Sequence, residues 1–109
     1  MTLTVAGDAV PIRVDARGVA LVGDTRVPLD TVIYEFQDGA GPEEIVRRFD
    51  TLQLADVYAV IAYYLRHKAD VDAYLEDRRR LAAEVRAEAE RRFPPEEFRE
   101  RLLKRRAAR

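Results

Sequence analysis

Cysteine and serine are both absent from these 109 residues, and histidine occurs once, as His67. Without cysteine there is no disulfide framework and no thiolate metal site. With serine missing too, two of the commonest nucleophiles are gone. His67 sits in the run Arg66-His67-Lys68, where basic neighbours make it a poor general base and a good helix-end residue. Asp70 and Asp72 stand two apart, so on a helix they cannot face each other. Glu43-Glu44 and Glu96-Glu97 each follow proline, as acids in the first turn of a helix do. No glycine-rich phosphate loop and no cluster of metal ligands occurs. The expectation is a protein that is not an enzyme, with no catalytic residue, cofactor or metal. No apolar run is long enough to span a bilayer, and the start MTLTVAGD lacks a signal peptide's basic residues. A cytoplasmic protein with no membrane contact is expected.

What the chain has in excess is charge, 36% of its residues, against about a quarter in ordinary domains. The sum of −1 hides an asymmetry. Residues 1–75 hold seven Lys/Arg and twelve Asp/Glu, a balance of −5; residues 76–109 hold twelve and eight, a balance of +4. An acidic body with a basic arm is indicated. The length suits one modest core, with the body over 1–76 and the arm over 77–109.

Taken in order, Val10, Ile12 and Val14 alternate with Pro11 and Arg13, and Asp15–Gly18 reads as a turn. Val19–Val22 returns as the second strand of a hairpin, and Leu3 with Val5 suggests a third. Pro11 cannot donate to a ladder, which puts its strand at an edge or puts proline at its start. Pro28 opens a helix with Leu29, Val32, Ile33 and Phe36 as its stripe, closed by Asp38-Gly39. Pro42 opens a second with Ile45, Val46 and Phe49. Asp50-Thr51-Leu52 interrupts it, and a third runs from about Gln53 with Leu54, Val57, Tyr58, Ile61, Tyr64 and Leu65 at helical spacing. Val60 and Tyr63 fall on another side of this helix, which therefore calls for a second partner surface. Gln53 caps poorly, so Asp50 or Thr51 is the alternative cap. A break at His67–Asp70 precedes a helix from Asp70 to Phe93, Pro94-Pro95 stops it, and Glu96–Arg106 forms a last short helix. The fold class is mainly α (α+β): a small N-terminal sheet, a three-helix body of helix-turn-helix type, homeodomain-like or winged, and an extended C-terminal helical arm.

The wording of the body is more specific than its spacing. Gly23–Pro28 reads G-x-T-R-V-P, residues 41–46 read GPEEIV, residues 54–67 read LADVYAVIAYYLRH and residues 71–75 read VDAYL. Over roughly residues 10–76 the chain resembles the domain of unknown function 433 family, whose members are usually called VapB-like antitoxins. Where that family usually has Tyr-Pro this chain has Phe49-Asp50, and Gln53 stands in place of Thr or Ser. The resemblance implies a partner, a PIN-like ribonuclease toxin whose active site is a cluster of metal-binding carboxylates.

The arm suits such a partner. Arg78–Arg80, Arg91, Arg92 and the arginines from Arg99 to Arg109 lie along helices whose apolar positions, Leu81, Val85, Phe93, Phe98 and Leu102, have no evident cover. An apolar face laid in a groove, with arginines reaching acids at the rim, is a recurrent binding mode. A self-associating helix pair is the alternative reading of the stripe. Operator DNA is a further candidate partner, through Arg47, Arg48 and Gln53 at the helix-turn-helix, although the body's −5 charge opposes it. Open strand edges and surplus apolar surface also predict a homodimer. The function expected is that of an antitoxin in a type II toxin–antitoxin pair. The alternatives are a dimeric assembly module, or a DNA-binding regulator without a toxin.

Overall fold

The computed structural model describes residues 2–93 and 103–104. Phe98, Arg99 and Leu102, and most of the expected last helix, lie outside the described residues. The chain divides into two compact units, Met1–Val71 and Asp72–Arg109. The described residues are mainly helical, with a small two-stranded antiparallel sheet.

In the first unit, β1 (Ile12–Val14) pairs with β2 (Ala20–Val22) in the register Ile12 with Val22, Arg13 with Leu21 and Val14 with Ala20. The turn between them is made by Asp15, whose carboxylate accepts the N–H groups of Arg17 (2.8 Å) and Val19 (3.0 Å). Gly18 takes φ +82 there, a conformation that glycine reaches without strain. Those amides, with the charges of Arg17 and Arg13, hold the Asp15 carboxyl below its usual range, the Val19 amide contributing most. All of β2 is buried, because the chain returns along its far side: the Val22 N–H donates to Val27 O at 3.0 Å and Leu21 bridges to Pro28. β1 is the edge strand, directly after Pro11, and Val14 is exposed. The expected third strand at Leu3 and Val5 does not form; both side chains face solvent. The Ile12 amide is taken by Val10 O at 2.8 Å, a tight turn that removes a donor such a strand would need.

Helix α1 (Leu29–Gln37) buries Leu29, Val32 and Ile33. It ends as expected at Asp38-Gly39, with Gly39 at φ +98 and the Ala40 N–H reaching back to Glu35 O. Helix α2 (Pro42–Arg48) has Pro42 at its first position, Glu43 and Glu44 in its first turn, and Arg47 and Arg48 in its last, all matched to the helix dipole. Phe49 leaves helical geometry (φ −127, ψ 82), Leu52 tucks into the core, and α3 (Leu54–Arg66) follows. Neither Asp50 nor Thr51 caps α3. Gln53 holds the cap position in extended geometry without a side-chain hydrogen bond, as do Pro28 for α1 and Gly41 for α2.

Two expectations about the helices are corrected. His67 alone leaves helical geometry (φ −128, ψ 41), so α4 begins at Lys68, two residues early, and runs to Arg92 with Asp70 inside its first turn. And the buried face of α3 is rotated from the expected stripe, keeping Val57, Ile61 and Tyr64 but not Leu54, Tyr58 and Leu65. Val60 has no exposure and joins Val57, Ile61 and Tyr64 in the core, whereas Leu54 (41%), Tyr58 (50%) and Leu65 (53%) remain exposed. With apolar residues all round this helix, spacing could not say which side faced α1, α2 and β2. No helix among the described residues is long and apolar enough to cross a membrane.

Candidate functional site

The arm is described by α4 beyond its start. Val71 and Leu75 are buried; from Glu76 to Arg92 every residue faces solvent except the half-buried Arg78. Leu81, Val85 and Phe93 are 51%, 61% and 64% exposed. Leu81 and Val85 stand one turn apart, so they share a flank, and Phe93 directly follows the last residue of α4. Four of the six arginines of α4 are engaged with acids of their own helix. Arg91 and Arg92 both pair with Glu88 (2.7 and 3.2 Å), Arg80 with Asp77 (2.6 Å) and Arg79 with Glu76 (3.9 Å). Exposed pairs of this kind contribute about 0–1 kcal/mol each, so a stronger acidic partner can displace them.

In the body the three residues read as DNA contacts part company. Arg48 is held by Glu35 and by Glu44, the latter at 2.7 Å, and these carboxylates, Glu35 foremost, raise its pKa further. It is therefore not a free cation for a phosphate. Glu35 lies thirteen residues away on α1, so the pair was not legible from α2 alone. Arg47 and Gln53 are exposed. Gln53 lines an open cleft of about 1070 Å³ along β1 and the loop after β2, together with Arg13, Arg26, Thr25, Thr51 and Asp56. The Arg13 guanidinium is spent on the backbone there, donating to Gly23 O (3.0 Å) and Thr25 O (2.8 Å). Among the described residues no group of three or more His, Cys, Asp or Glu side chains is placed to hold a metal ion.

One contact went unforeseen. The Tyr58 hydroxyl donates to the Glu43 carboxylate at 2.7 Å, which lowers the glutamate pKa and raises the tyrosine's. Glu43 read as a first-turn acid and Tyr58 as core, and neither reading suggested the other. With Tyr58 turned outward, α3 shows solvent a flank made of Leu54, Tyr58, Ala62 and Leu65.

Residues 16–64 match the family model of a protein of unknown function, DUF433. The DUF433 match takes in β2, α1, α2 and most of α3, hence Arg47, Arg48, Gln53 and Tyr58. It leaves all of α4 outside, so the arm's candidate residues draw nothing from DUF433. No curated protein and no solved structure matches the chain.

Proposed function

We propose that this protein is an antitoxin that binds and silences a PIN-like ribonuclease through α4. The observation that carries the reading is the stretch from Glu76 to Arg92, five turns of helix with no buried residue yet with Leu81, Val85 and the following Phe93 exposed along it. At about 1.5 Å per residue the 25 residues of α4 extend roughly 37 Å. A helix of that length with Leu81 and Val85 uncovered on one flank, an exposed phenylalanine at its end and flanking arginines has the form of a ligand for a groove. Burying one such apolar side chain contributes about 1.5–3 kcal/mol, more than a rim ion pair, so the apolar residues supply affinity. Arg91 and Arg92 exchange Glu88 for the carboxylates that hold the nuclease's metal, and so block its active site. The resemblance of the body to VapB-like antitoxins supplies the class of partner.

Operator DNA stays outside this proposal. Arg48 is committed to Glu35 and Glu44, and the outward flank of α3 offers Leu54, Tyr58 and Leu65 where a groove-reading helix carries polar donors.

The test is co-expression with the product of the adjacent reading frame, followed by purification and a ribonuclease assay. The full chain should co-purify and suppress cleavage. Leu81→Asp with Phe93→Asp should abolish the complex. Arg91→Gln with Arg92→Gln should leave the complex intact while cleavage returns. Equal neutralisation by a chain ending at Glu76 defeats the proposal.

A further inference from the structure

Uncovered apolar side chains stand on both sides of Val10. Before it, residues 2–9 form no helix or strand, and Leu3 (86%) and Val5 (84%) face solvent. After it, the chain enters the open cleft beside β1, where Pro11, Ile12, Val27, Pro28 and Phe49 are only half-buried. The walls of this cleft are firm. The Thr25 hydroxyl donates to Val22 O (2.7 Å) and accepts the Val27 N–H (3.1 Å), and Arg13 ties the same loop to β1. Gly23 leaves no room for a Cβ beside the Asp56 carboxylate. Hydrogen bonds hold the walls in place, so an added segment is what can cover the apolar floor.

We infer that residues 2–9 are the cleft's own occupant, a strap that closes from its exposed position onto this floor. In extended chain Leu3 and Val5 point to one side and Thr2 and Thr4 to the other. A docked strap thus turns leucine and valine to the floor and the threonines to water. The segment is tethered at Val10 and Pro11, which line the cleft themselves. So short a tether keeps it at an effective concentration on the order of millimolar. From Leu3 to Ala9 it reaches about 23 Å when extended. The bends that closure needs are present. The Ile12 N–H donates to Val10 O across Pro11 at 2.8 Å, and Gly7 has nothing within 4 Å of where a Cβ would stand, leaving the chain free to turn there. Charge agrees at the rim. Asp8, the one charged residue of the segment, precedes Val10 by two, and Arg26 lines the cleft. Neither makes an ion pair among the described residues. Nucleic acid fits less well, because Asp24 and Asp56 line the same cleft and repel phosphate.

Two apolar side chains and one exposed ion pair hold a strap weakly, so open and docked positions exchange and the strap gates access to the cleft. The device uses no residue of α4, so it stands or falls apart from the antitoxin reading.

Amide resonances of the full chain, compared with those of Leu3→Asp with Val5→Asp, test the strap. Both side chains are surface groups, so the circular dichroism spectrum should not change. The signals of Val27, Thr51 and Gln53 should shift, and that of Arg66, at the far end of α3, should not. Leu3→Thr with Val5→Thr should give the same shifts, which separates loss of apolar contact from added charge. The lack of native cysteine permits a second measurement. A nitroxide on Thr4→Cys, on the side turned to water, should broaden Val27 and Gln53 more than Arg66. Either double variant placed in that labelled chain should lose most of the broadening. Parent and variant spectra that coincide beyond Pro11 overturn the strap. So does broadening that both double variants leave unchanged, or broadening that passes from a spin-labelled chain to a separate isotope-labelled one, which would place the segment on a second copy.

Discussion

Of the fifteen buried apolar residues among those described, fourteen lie in Met1–Val71, and Leu75 alone lies in Asp72–Arg109. The first unit is held by what it removes from water. The second is held, beyond Leu75, by its own backbone and by ion pairs three or four residues apart, each contributing about 0.2–0.5 kcal/mol. The same chain therefore uses two kinds of helix. Those of the body are short, seven to thirteen residues, and lack side-chain caps, yet they have core on one face. The arm's helix is twenty-five residues long, rich in alanine, arginine and glutamate that favour helix, and buries almost nothing. Burial shapes the body, and propensity shapes the arm.

The strongest way to break this contrast is to delete the same chemistry from each unit. Ile45→Ala, at a position with no exposure, should cost about 2–5 kcal/mol in urea unfolding. Leu81→Ala should stay within about 0.5 kcal/mol. Similar losses at the two sites would mean that the arm is part of the core. A chain ending at Glu76 retains all fifteen buried residues and should still unfold cooperatively.

Next in size is Gly23. It sits at φ +56, and an added Cβ would stand 2.8 Å from the Asp56 carboxylate. Gly23→Ala should destabilise by about 1–3 kcal/mol. Gly18→Ala, at φ +82 with nothing within 4 Å, should cost less. Asp56→Ala introduced beside Gly23→Ala should recover the difference between them, as judged by thermal melts.

A smaller change has the opposite sign. Gln53 has extended geometry and no cap hydrogen bond, so Gln53→Ser should stabilise the body by about 0.5–2 kcal/mol. The same measurement on α4 variants tests the contrast, because a cap matters most where a helix is short.

The smallest effect concerns acid. The folded pKa of Asp15 lies below its ordinary 3.8, so its contribution is complete above that value and is lost as pH falls through the folded one. Asp15→Asn should be less stable than the parent at neutral pH, and the gap should close below about pH 4. Glu43, lowered chiefly by the Tyr58 hydroxyl, behaves in the same direction. Tyr58→Phe should therefore move the acid unfolding midpoint slightly upward.

Much of the body could be read in advance because its signals are local. Alternation at Ile12 and Val14, the Asp15–Gly18 turn, Pro42 with its two acids, and Asp38-Gly39 each act within a few residues, and each appears where it was read. The failures arose where a decision rests on distant residues. Which side of α3 is core depends on α1, α2 and β2, since Val60 and Leu54 are equally apolar. Arg48 looks free until Glu35 arrives from another helix. The extent of the break before α4 turned on one residue's dihedral angles, and the polar run His67–Asp70 is compatible with either outcome. The exposure of Leu81, Val85 and Phe93 was legible because charged residues surround them on every side of the helix beyond Leu75.

His67 has a consequence of a different kind. It is the one imidazole in the chain, and its ring stacks on that of Tyr63 with centroids 4.4 Å apart and 29° between planes, at the residue where α3 gives way to α4. The tyrosine ring current therefore falls on a single pair of imidazole carbon-bound protons, in a spectral window no other side chain of this type shares. The protein carries its own magnetic-resonance reporter at that junction. A ligand that changes the geometry around residue 67 will shift the imidazole Cε1 proton, a single signal once the amides are exchanged into heavy water.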